Sequence, residues 1–198
     1  MYPDILKKYT IILASKSPRR QYLLKELGLN FIIDTSFEVD EEYPDSLIKN
    51  EIPVFLSELK SMAYNKSIAE NEILLTADTI VWLNGQMVGK PVDREDAINI
   101  LRNLSGNMHE VITGVCLRSN NKTKTFTALS EVYFKPLDDD EINYYIENYQ
   151  PFDKAGAYGV QEWIGYVGVE KINGSYFNVM GLPIQKLYVE LINFIEKI

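Results

Sequence analysis

The sequence predicts a mixed α/β fold, in which helices flank a twisted mixed sheet. Apolar runs of strand length alternate with segments whose apolar residues recur at helical spacing, as in strand–helix units. Short polar turns join other apolar runs directly, which indicates β-hairpins in the same sheet. The 198 residues contain no repeat and no Pro/Ser-rich linker. We therefore expect one domain over 1–198, with two small lobes that share a core as the alternative.

The first part of the chain is predicted to begin with a strand and a helix. A short apolar strand is expected in YTIILAS, after which Ser17 is a good N-cap and Pro18 fits the first helical position. Gly28 is suited to end this helix. A strand that leads into an acidic loop is expected in NFIIDTSFEVDEEYP, followed by a helix over about 51–70. The residues expected to face inward from that helix are Leu56, Leu59 and Ala63, with Met62 as a further candidate.

The remainder of the chain continues the mixed pattern. A buried strand, a turn at Asn84-Gly85 and a return strand are predicted in EILLTADTIVWLNGQMVGKP, and Asp93 is expected to cap the next helix. A long hairpin that turns near Asn120-Asn121 follows. Three further segments are predicted in order: a helix in LDDDEINYYIENYQP, β-rich structure in GYVGVEKINGSYFNVMG and an amphipathic helix in LPIQKLYVELINFIEKI.

Composition excludes several classes of function. With one cysteine, Cys116, and one histidine, His109, the chain cannot form an internal disulfide framework or an ordinary zinc cage. A net charge of -8 disfavours nucleic acid as a partner, so any anion site must be a local basic pocket. No apolar run approaches the roughly 18 residues of a membrane span, and the N-terminus lacks the order of a signal peptide. We expect a cytoplasmic protein that does not contact a membrane.

Two charged features could carry chemistry: a cluster of cations and a single aspartate. Arg19 and Arg20 lie in the first turn of the first predicted helix beside Lys16, where free backbone N–H groups already favour an anion. They indicate a phosphate site, although solvated surface charges are the alternative. Asp78 lies in the apolar run ILLTADTIVWL, where a buried carboxylate must be paired or metal-bound. It is predicted to be a metal ligand or general base, unless it faces solvent at a bulge or strand end.

Other charged residues have simpler interpretations. Lys90 and Lys154 lie next to turn residues, where a lysine considered singly is expected to face solvent. His109 has no paired nucleophile nearby in the sequence and is interpreted as structural or peripheral. The acids at 138–141 are interpreted as N-terminal helix residues. The acidic loop EVDEEYP is a better place for a ligand of a hard cation.

Taken together, these segments resemble the Maf family of nucleotide pyrophosphatases in order and along nearly the whole chain. The matching blocks are LASKSPRR, ADTIVWLNGQMVGKP, AxxILRNLSGNMHEVITGV (where x marks a position outside the match), DKAGAYGVQ and INGSYFNVMGLP. The resemblance implies two lobes with a central cleft, as in inosine triphosphatase-like folds. It also implies hydrolysis of a nucleoside triphosphate to the monophosphate and pyrophosphate, a Mg²⁺ or Mn²⁺ cofactor, and a homodimer.

The resemblance assigns roles to individual residues. Asp78 matches the catalytic aspartate, which accepts a proton and binds the metal. Glu41 matches the acidic residue that assists the metal, although Glu38 and Glu42 are close enough to take its place in an alignment. The residues that match phosphate-binding positions are Ser15, Arg19, Arg20, Lys60 and Lys90. The match at Lys60 departs from the family pattern, because Ser61 follows where alanine is usual.

Three positions divide the family by substrate. Arg19, Thr79 and Gln161 are the residues of the branch that acts on dTTP and UTP, whereas the branch that hydrolyses 7-methyl-GTP differs at all three. Gln161 carries both a donor and an acceptor, which suits the imide edge of uracil or thymine. The alternatives are a regulatory nucleotide-binding protein of cell division and a pyrophosphatase for another noncanonical nucleotide. The preference between dTTP and UTP stays open at this point, as does the choice of metal.

Overall fold

A computed structural model describes residues 4–196, and these residues form a seven-stranded mixed sheet with helices. The strands are β1 (Thr10–Leu13), β2 (Phe31–Ile33), β3 (Glu72–Leu83), β4 (Gln86–Val88), β5 (Met108–Arg118), β6 (Thr123–Phe134) and β7 (Val169–Asn173). Their order is β2-β1-β3-β5-β6-β7, with β4 paired to β3. The strand β1 is parallel to β2 and β3, while the β3–β4 and β6–β7 pairs are antiparallel. The predicted mixed α/β class is confirmed.

Seven α-helices lie between or after these strands in the described part of the chain. They are α1 (Pro18–Glu26), α2 (Glu51–Ala63), α3 (Arg94–Leu104), α4 (Asp139–Tyr149), α5 (Trp163–Gly168), α6 (Tyr176–Val179) and α7 (Ile184–Ile195). Short 3₁₀ turns occur at Leu6–Lys8, Pro151–Asp153 and Ala155–Ala157. Among residues 4–196, no helix has both the length and the apolar character needed to cross a membrane.

The chain forms two compact units. The first runs up to Asp78 and also includes Thr113–Ala128 and the chain from Gly181 onward, while the second comprises Thr79–Ile112 and Leu129–Met180. Three of the four boundaries fall inside β3, β5 and β6, and the fourth lies between α6 and α7. The single domain over 1–198 and the cleft between its lobes stay predictions.

The first unit begins with the predicted strand and helix. Strand β1 is buried, and in α1 Leu23 and Leu24 turn inward while Gly28 follows the helix end at φ 73°. Ser17 takes the N-cap position with an extended backbone, but its side chain makes no capping bond. Local signals therefore placed this helix correctly.

Helix α2 ends at Ala63, so the predicted helical extension to residue 70 is wrong. The expected inward position of Met62 is also wrong, because this side chain is 73% exposed. The prediction for Leu56 is confirmed, whereas Leu59 and Ala63 are only partly buried. Two small residues, Ser57 and Ser61, are also buried on this face, and the Ser57 carbonyl accepts a 2.6 Å hydrogen bond from the Thr76 hydroxyl. Close backbone packing favoured these small side chains over the long methionine.

The second unit confirms the predicted hairpin and caps. Asn84 and Gly85 have φ values of 49° and 84°, as a two-residue hairpin turn requires. The Asp93 carboxylate caps α3 by accepting from the Asp96 N–H at 2.8 Å. A capping box joins Asp138 and Glu141 at the start of α4, which explains the acids there.

The β-rich prediction for GYVGVEKINGSYFNVMG is wrong except over Val169–Asn173. All four residues of this segment before the strand belong to α5, and a short helix, α6, follows the strand. A Cβ at Gly165 would lie 1.8 Å from the Val160 carbonyl oxygen, so the first of these helices depends on glycine for close packing. Ser175 caps the second by accepting from the Asn178 N–H.

His109 is buried in an aromatic cluster of the second unit, which confirms its structural interpretation. Its Nε2 lies 2.7 Å from the Tyr158 hydroxyl, and its ring makes edge contacts with Phe134 and Tyr158. Burial lowers the pKa of His109 to about 4, because the cluster disfavours the charged imidazolium.

Candidate active site

Asp78 is the buried carboxylate around which the first unit's charged residues gather. It lies inside β3, and its Oδ1 accepts a 2.5 Å hydrogen bond from the Lys60 ammonium. The strand around it is apolar, with Leu75 and Ala77 buried. The solvent-facing alternative for Asp78 is therefore wrong, and the ammonium offsets the cost of burying the charge.

Lys60 connects two carboxylates. It lies in the last turn of α2, and its Nζ contacts Glu41 Oε1 at 2.9 Å as well as Asp78. Glu41 belongs to the acidic loop and its side chain is 50% exposed, in contrast to the buried Asp78. One cation therefore holds the two acids that the sequence suggests as metal ligands.

Arg20 braces the start of α1 against the strand that carries Asp78. Its guanidinium donates to the Ala77 carbonyl at 2.7 Å, to the Gly181 carbonyl at 2.9 Å and to the Ser15 hydroxyl at 3.4 Å. Burial lowers the pKa of Arg20, while the neighbouring Asp78 charge opposes that shift. Arg20 is thus held by backbone carbonyls immediately next to the catalytic candidate.

The first turn of α1 adds more positive charge. Arg19 is close enough to Arg20 for its charge to lower the Arg20 pKa further. The Ser15 hydroxyl accepts from the Ser17 N–H at 3.2 Å, which shapes the backbone before the helix. Within the described first unit, three cations (Arg19, Arg20 and Lys60) thus accompany two carboxylates (Asp78 and Glu41). Such a cluster suits a polyanion.

Three sequence candidates belong to the second unit, and their role in the site stays a prediction. Lys90 is exposed two residues after the end of β4, as a turn lysine is expected to be. The preceding Gly89 carbonyl accepts from the Gly156 N–H at 3.0 Å, which ties this segment to the AGAYG block. Thr79 is partly exposed in β3, and Gln161 follows the AGAYG block.

A second charge cluster, centred on the buried Lys154, lies next to Gln161, and the sequence analysis did not identify it. Lys154 is only 8% exposed, so the solvent-facing expectation for it is wrong. Its ammonium contacts Asp153 at 2.7 Å and Glu162 at 3.2 Å. The Tyr145 hydroxyl also donates to Glu162. The small residues of DKAGAYG could have indicated that Lys154 is buried, since they permit close packing around a lysine.

Comparison with known proteins identifies similar sequences over nearly the whole chain. A family model described as "Maf-like protein" matches residues 10–194. A dTTP/UTP pyrophosphatase of Bacteroides fragilis is 59% identical over 186 residues, which is 94% of this chain and 96% of the relative. A dTTP/UTP pyrophosphatase of Porphyromonas gingivalis is 46% identical over 195 residues, 98% of each chain. Among solved structures, a HAM1 protein from Coxiella burnetii has a TM-score of 0.49 and 16% identity, covering 93% of this chain and 99% of that one.

Proposed function

Because the chain belongs to the Maf family, we propose that it hydrolyses dTTP and UTP to the monophosphate and pyrophosphate. The observation that carries the proposal is the buried Asp78, paired with Lys60 beside an arginine-rich helix start. A carboxylate on a rigid strand supplies the base, and the cations supply a binding site for the triphosphate. Relatives that share the name dTTP/UTP pyrophosphatase cover the same blocks of sequence.

The cations have two proposed roles: one stabilises the backbone of the site, and the others bind phosphate directly. Arg20 donates to two backbone carbonyls, so it contributes chiefly its charge and the position of its neighbours. Arg19 and Lys60 are the direct phosphate ligands in the first unit, with Ser15 completing the loop. Lys90 is the phosphate ligand proposed from the second unit. Their charge stabilises the negative charge that develops as pyrophosphate leaves.

Asp78 orients and deprotonates the attacking water. The water oxygen forms a bond to the α-phosphorus, and its proton passes to the Asp78 carboxylate. The bond between the α-phosphorus and the oxygen that bridges to the β-phosphorus breaks. The pyrophosphate departs with that electron pair.

The donor set is compatible with a divalent cation. Asp78 and Glu41 offer carboxylate oxygens that already share one cation, and Mg²⁺ or Mn²⁺ commonly takes one or two carboxylates, with the triphosphate and waters as its other ligands. Residues 4–196 contain no group of three or more metal-ligating side chains, so the protein alone would not enclose the ion. When bound, the ion would polarise the phosphate and offset its charge.

Base selection is proposed to depend on the second unit's Gln161 and Thr79 together with Arg19. The Gln161 amide can hydrogen-bond to the imide edge that uracil and thymine share. The homodimer and the cytoplasmic location stay predictions, as does the absence of a nucleic-acid partner.

The test is pyrophosphate release from dTTP, UTP, CTP, 7-methyl-GTP and ITP, with and without Mg²⁺ or Mn²⁺. We expect metal-dependent release from dTTP and UTP, with the monophosphate as the second product. Preferred turnover of 7-methyl-GTP or ITP would overturn the assignment of Arg19, Thr79 and Gln161. No turnover of any nucleotide would overturn the enzymatic proposal and favour the regulatory binding protein.

A further inference from the structure

We propose that Glu162 is a positioning residue, which orients the Gln161 amide so that its carbonyl oxygen accepts the N3–H of uracil or thymine. The inference rests on the proposed function and deepens it, because it names the group that sets base selection. Nothing in the proposed phosphate chemistry uses Glu162, yet its side chain is only 19% exposed and carries a charge. A largely enclosed charge without a catalytic task needs another explanation.

Both oxygens of Glu162 are held by buried partners. The Lys154 ammonium lies 3.2 Å from Oε1, and the Tyr145 hydroxyl donates to Oε2. That hydroxyl in turn accepts from the Gly159 N–H at 2.9 Å, so Tyr145 bridges the carboxylate to the backbone. Tyr145 is fully buried and Lys154 nearly so. The Glu162 carboxylate is therefore a fixed acceptor.

A fixed acceptor determines which end of the neighbouring amide faces it. Gln161 Nε2 donates to Glu162 Oε1 at 3.4 Å. Turning the amide over would place its carbonyl oxygen against a carboxylate, where two negative groups repel each other. The amino end of Gln161 is thus directed toward Glu162.

The other end of the amide is left for a donor. Gln161 Oε1 is buried and has no hydrogen-bond partner among residues 4–196. A buried acceptor without a partner is destabilising, so a ligand N–H that reaches it recovers a hydrogen bond. Because the side chain as a whole is partly exposed, this oxygen lies close beneath the surface.

Gly159 provides the space for this arrangement. A Cβ at this position would lie 2.7 Å from Gln161 Nε2 and 2.8 Å from Glu162 Cδ. Any larger residue would therefore push the amide and the carboxylate apart. The Gln161 and Glu162 side chains therefore pack against each other next to Gly159, and both positions require a glycine there.

An amide held in this orientation distinguishes the pyrimidines. Uracil and thymine carry a hydrogen on N3, whereas N3 of cytosine is an acceptor and meets Gln161 Oε1 with a second lone pair. A site that holds a hydrogen-bond acceptor at this point rejects an analogue without the hydrogen. If Glu162 loses its charge, the amide can turn over and offer Nε2 to cytosine.

The experiment measures kcat/KM for UTP and for CTP in the wild type and in Glu162→Gln, which preserves shape and removes the charge. We expect the UTP-to-CTP ratio to fall about tenfold or more, with KM for UTP changing more than kcat. Glu147→Gln is the matched control, because Glu147 is exposed on α4 and pairs with Arg94 instead. It should keep the wild-type ratio.

A second variant covers the case in which Glu162→Gln does not fold. Tyr145→Phe keeps the Glu162 charge and removes one of its anchors, and we expect an intermediate fall in the ratio. An unchanged ratio in a folded Glu162→Gln protein, or in Tyr145→Phe if that protein alone folds, overturns the positioning role. If the wild type releases no pyrophosphate from UTP or dTTP, the proposed function itself fails.

Discussion

The two units each contain a buried lysine that pairs with two acids, but the surroundings of the two lysines differ. In the first unit, Lys60 joins Asp78 on a strand to Glu41 in a loop that is half exposed. In the second unit, Lys154 pairs with Glu162, whose other oxygen is held by Tyr145. Each lysine also contacts an exposed acid, which is Glu41 in the first unit and Asp153 in the second. The two units differ at the less exposed acid, because Glu162 is held by a buried tyrosine in addition to its lysine.

We interpret this difference as a division of labour between the proposed chemistry and the proposed recognition of the base. Asp78 accepts its hydrogen bond from Lys60, and we expect this flexible ammonium to turn toward the phosphates when a triphosphate and a cation arrive. A carboxylate that is held by a buried lysine and a buried tyrosine keeps one geometry, which is what the orientation of a neighbouring amide requires. We therefore expect mutations in the first cluster to affect turnover, and those in the second to affect which base is accepted.

The largest expected effect is at Asp78. Asp78→Asn should reduce kcat by about a thousandfold, because the base that accepts the proton of water is lost. Pyrophosphate release measures this, with circular dichroism to confirm the fold. Asp34→Asn is the matched control, since Asp34 also pairs with a lysine, Lys66, at 2.6 Å in the same unit. An active Asp78→Asn protein in saturating metal would remove Asp78 from the mechanism.

The next largest effect is a pH dependence of stability that arises from the buried His109 in the second unit. Its pKa of about 4 in the folded protein lies below the ordinary value of 6.5, so between these pH values the unfolded chain binds the proton and the folded chain does not. Stability should therefore be lost as pH falls from about 6.5 to 4, by about 3 kcal/mol from this group. Urea unfolding at a series of pH values measures it, and His109→Gln should flatten the dependence. Parallel curves for the two proteins would contradict the buried neutral histidine.

Within the first cluster, Arg20 and Arg19 are expected to have different roles. Arg20→Lys should lower the free energy of unfolding by about 2 kcal/mol, because the Ala77 and Gly181 carbonyls lose a donor geometry that an ammonium does not reproduce. Arg19→Lys should instead raise KM with little loss of stability. Urea denaturation and steady-state kinetics on both variants distinguish a brace from a direct phosphate ligand. Equal losses of stability would show that the two arginines do not differ in role.

The smallest expected effect concerns Lys60 as a competitor of the metal. Lys60→Met should bind Mn²⁺ about tenfold more tightly in the absence of nucleotide, because the ammonium no longer neutralises Asp78 and Glu41. Electron paramagnetic resonance of free Mn²⁺ measures this without any turnover. Lys66→Met is the control and should bind like the wild type. Weaker binding by Lys60→Met would mean that the lysine orients the acids for the metal.

Local chemistry explains which elements could be predicted from the sequence. Turns and caps at Asn84-Gly85, Asp93 and Asp138 depend on residues only a few positions apart, and each was found. Met62 and Lys154 were assigned to the wrong environment, because their exposure depends on packing between segments distant in sequence. Side-chain pattern alone does not report that packing.

The candidate site was predictable in part for the same reason. An aspartate in an apolar strand predicts that Asp78 has a partner that offsets its charge. The sequence does not show that this partner is Lys60, or that Lys60 also contacts Glu41. The contacts of Glu162 could not be predicted from the sequence, because Tyr145 and Lys154 belong to separate elements and meet only in the folded unit.

The most direct test of the central claim is hydrolysis of dTTP in H₂¹⁸O with Mg²⁺ or Mn²⁺, followed by mass spectrometry of both products. Attack of water at the α-phosphorus predicts one ¹⁸O atom in the phosphate of dTMP and none in pyrophosphate. Label in pyrophosphate would mean attack at the β-phosphorus, and it would contradict the reaction assigned to the Asp78 cluster.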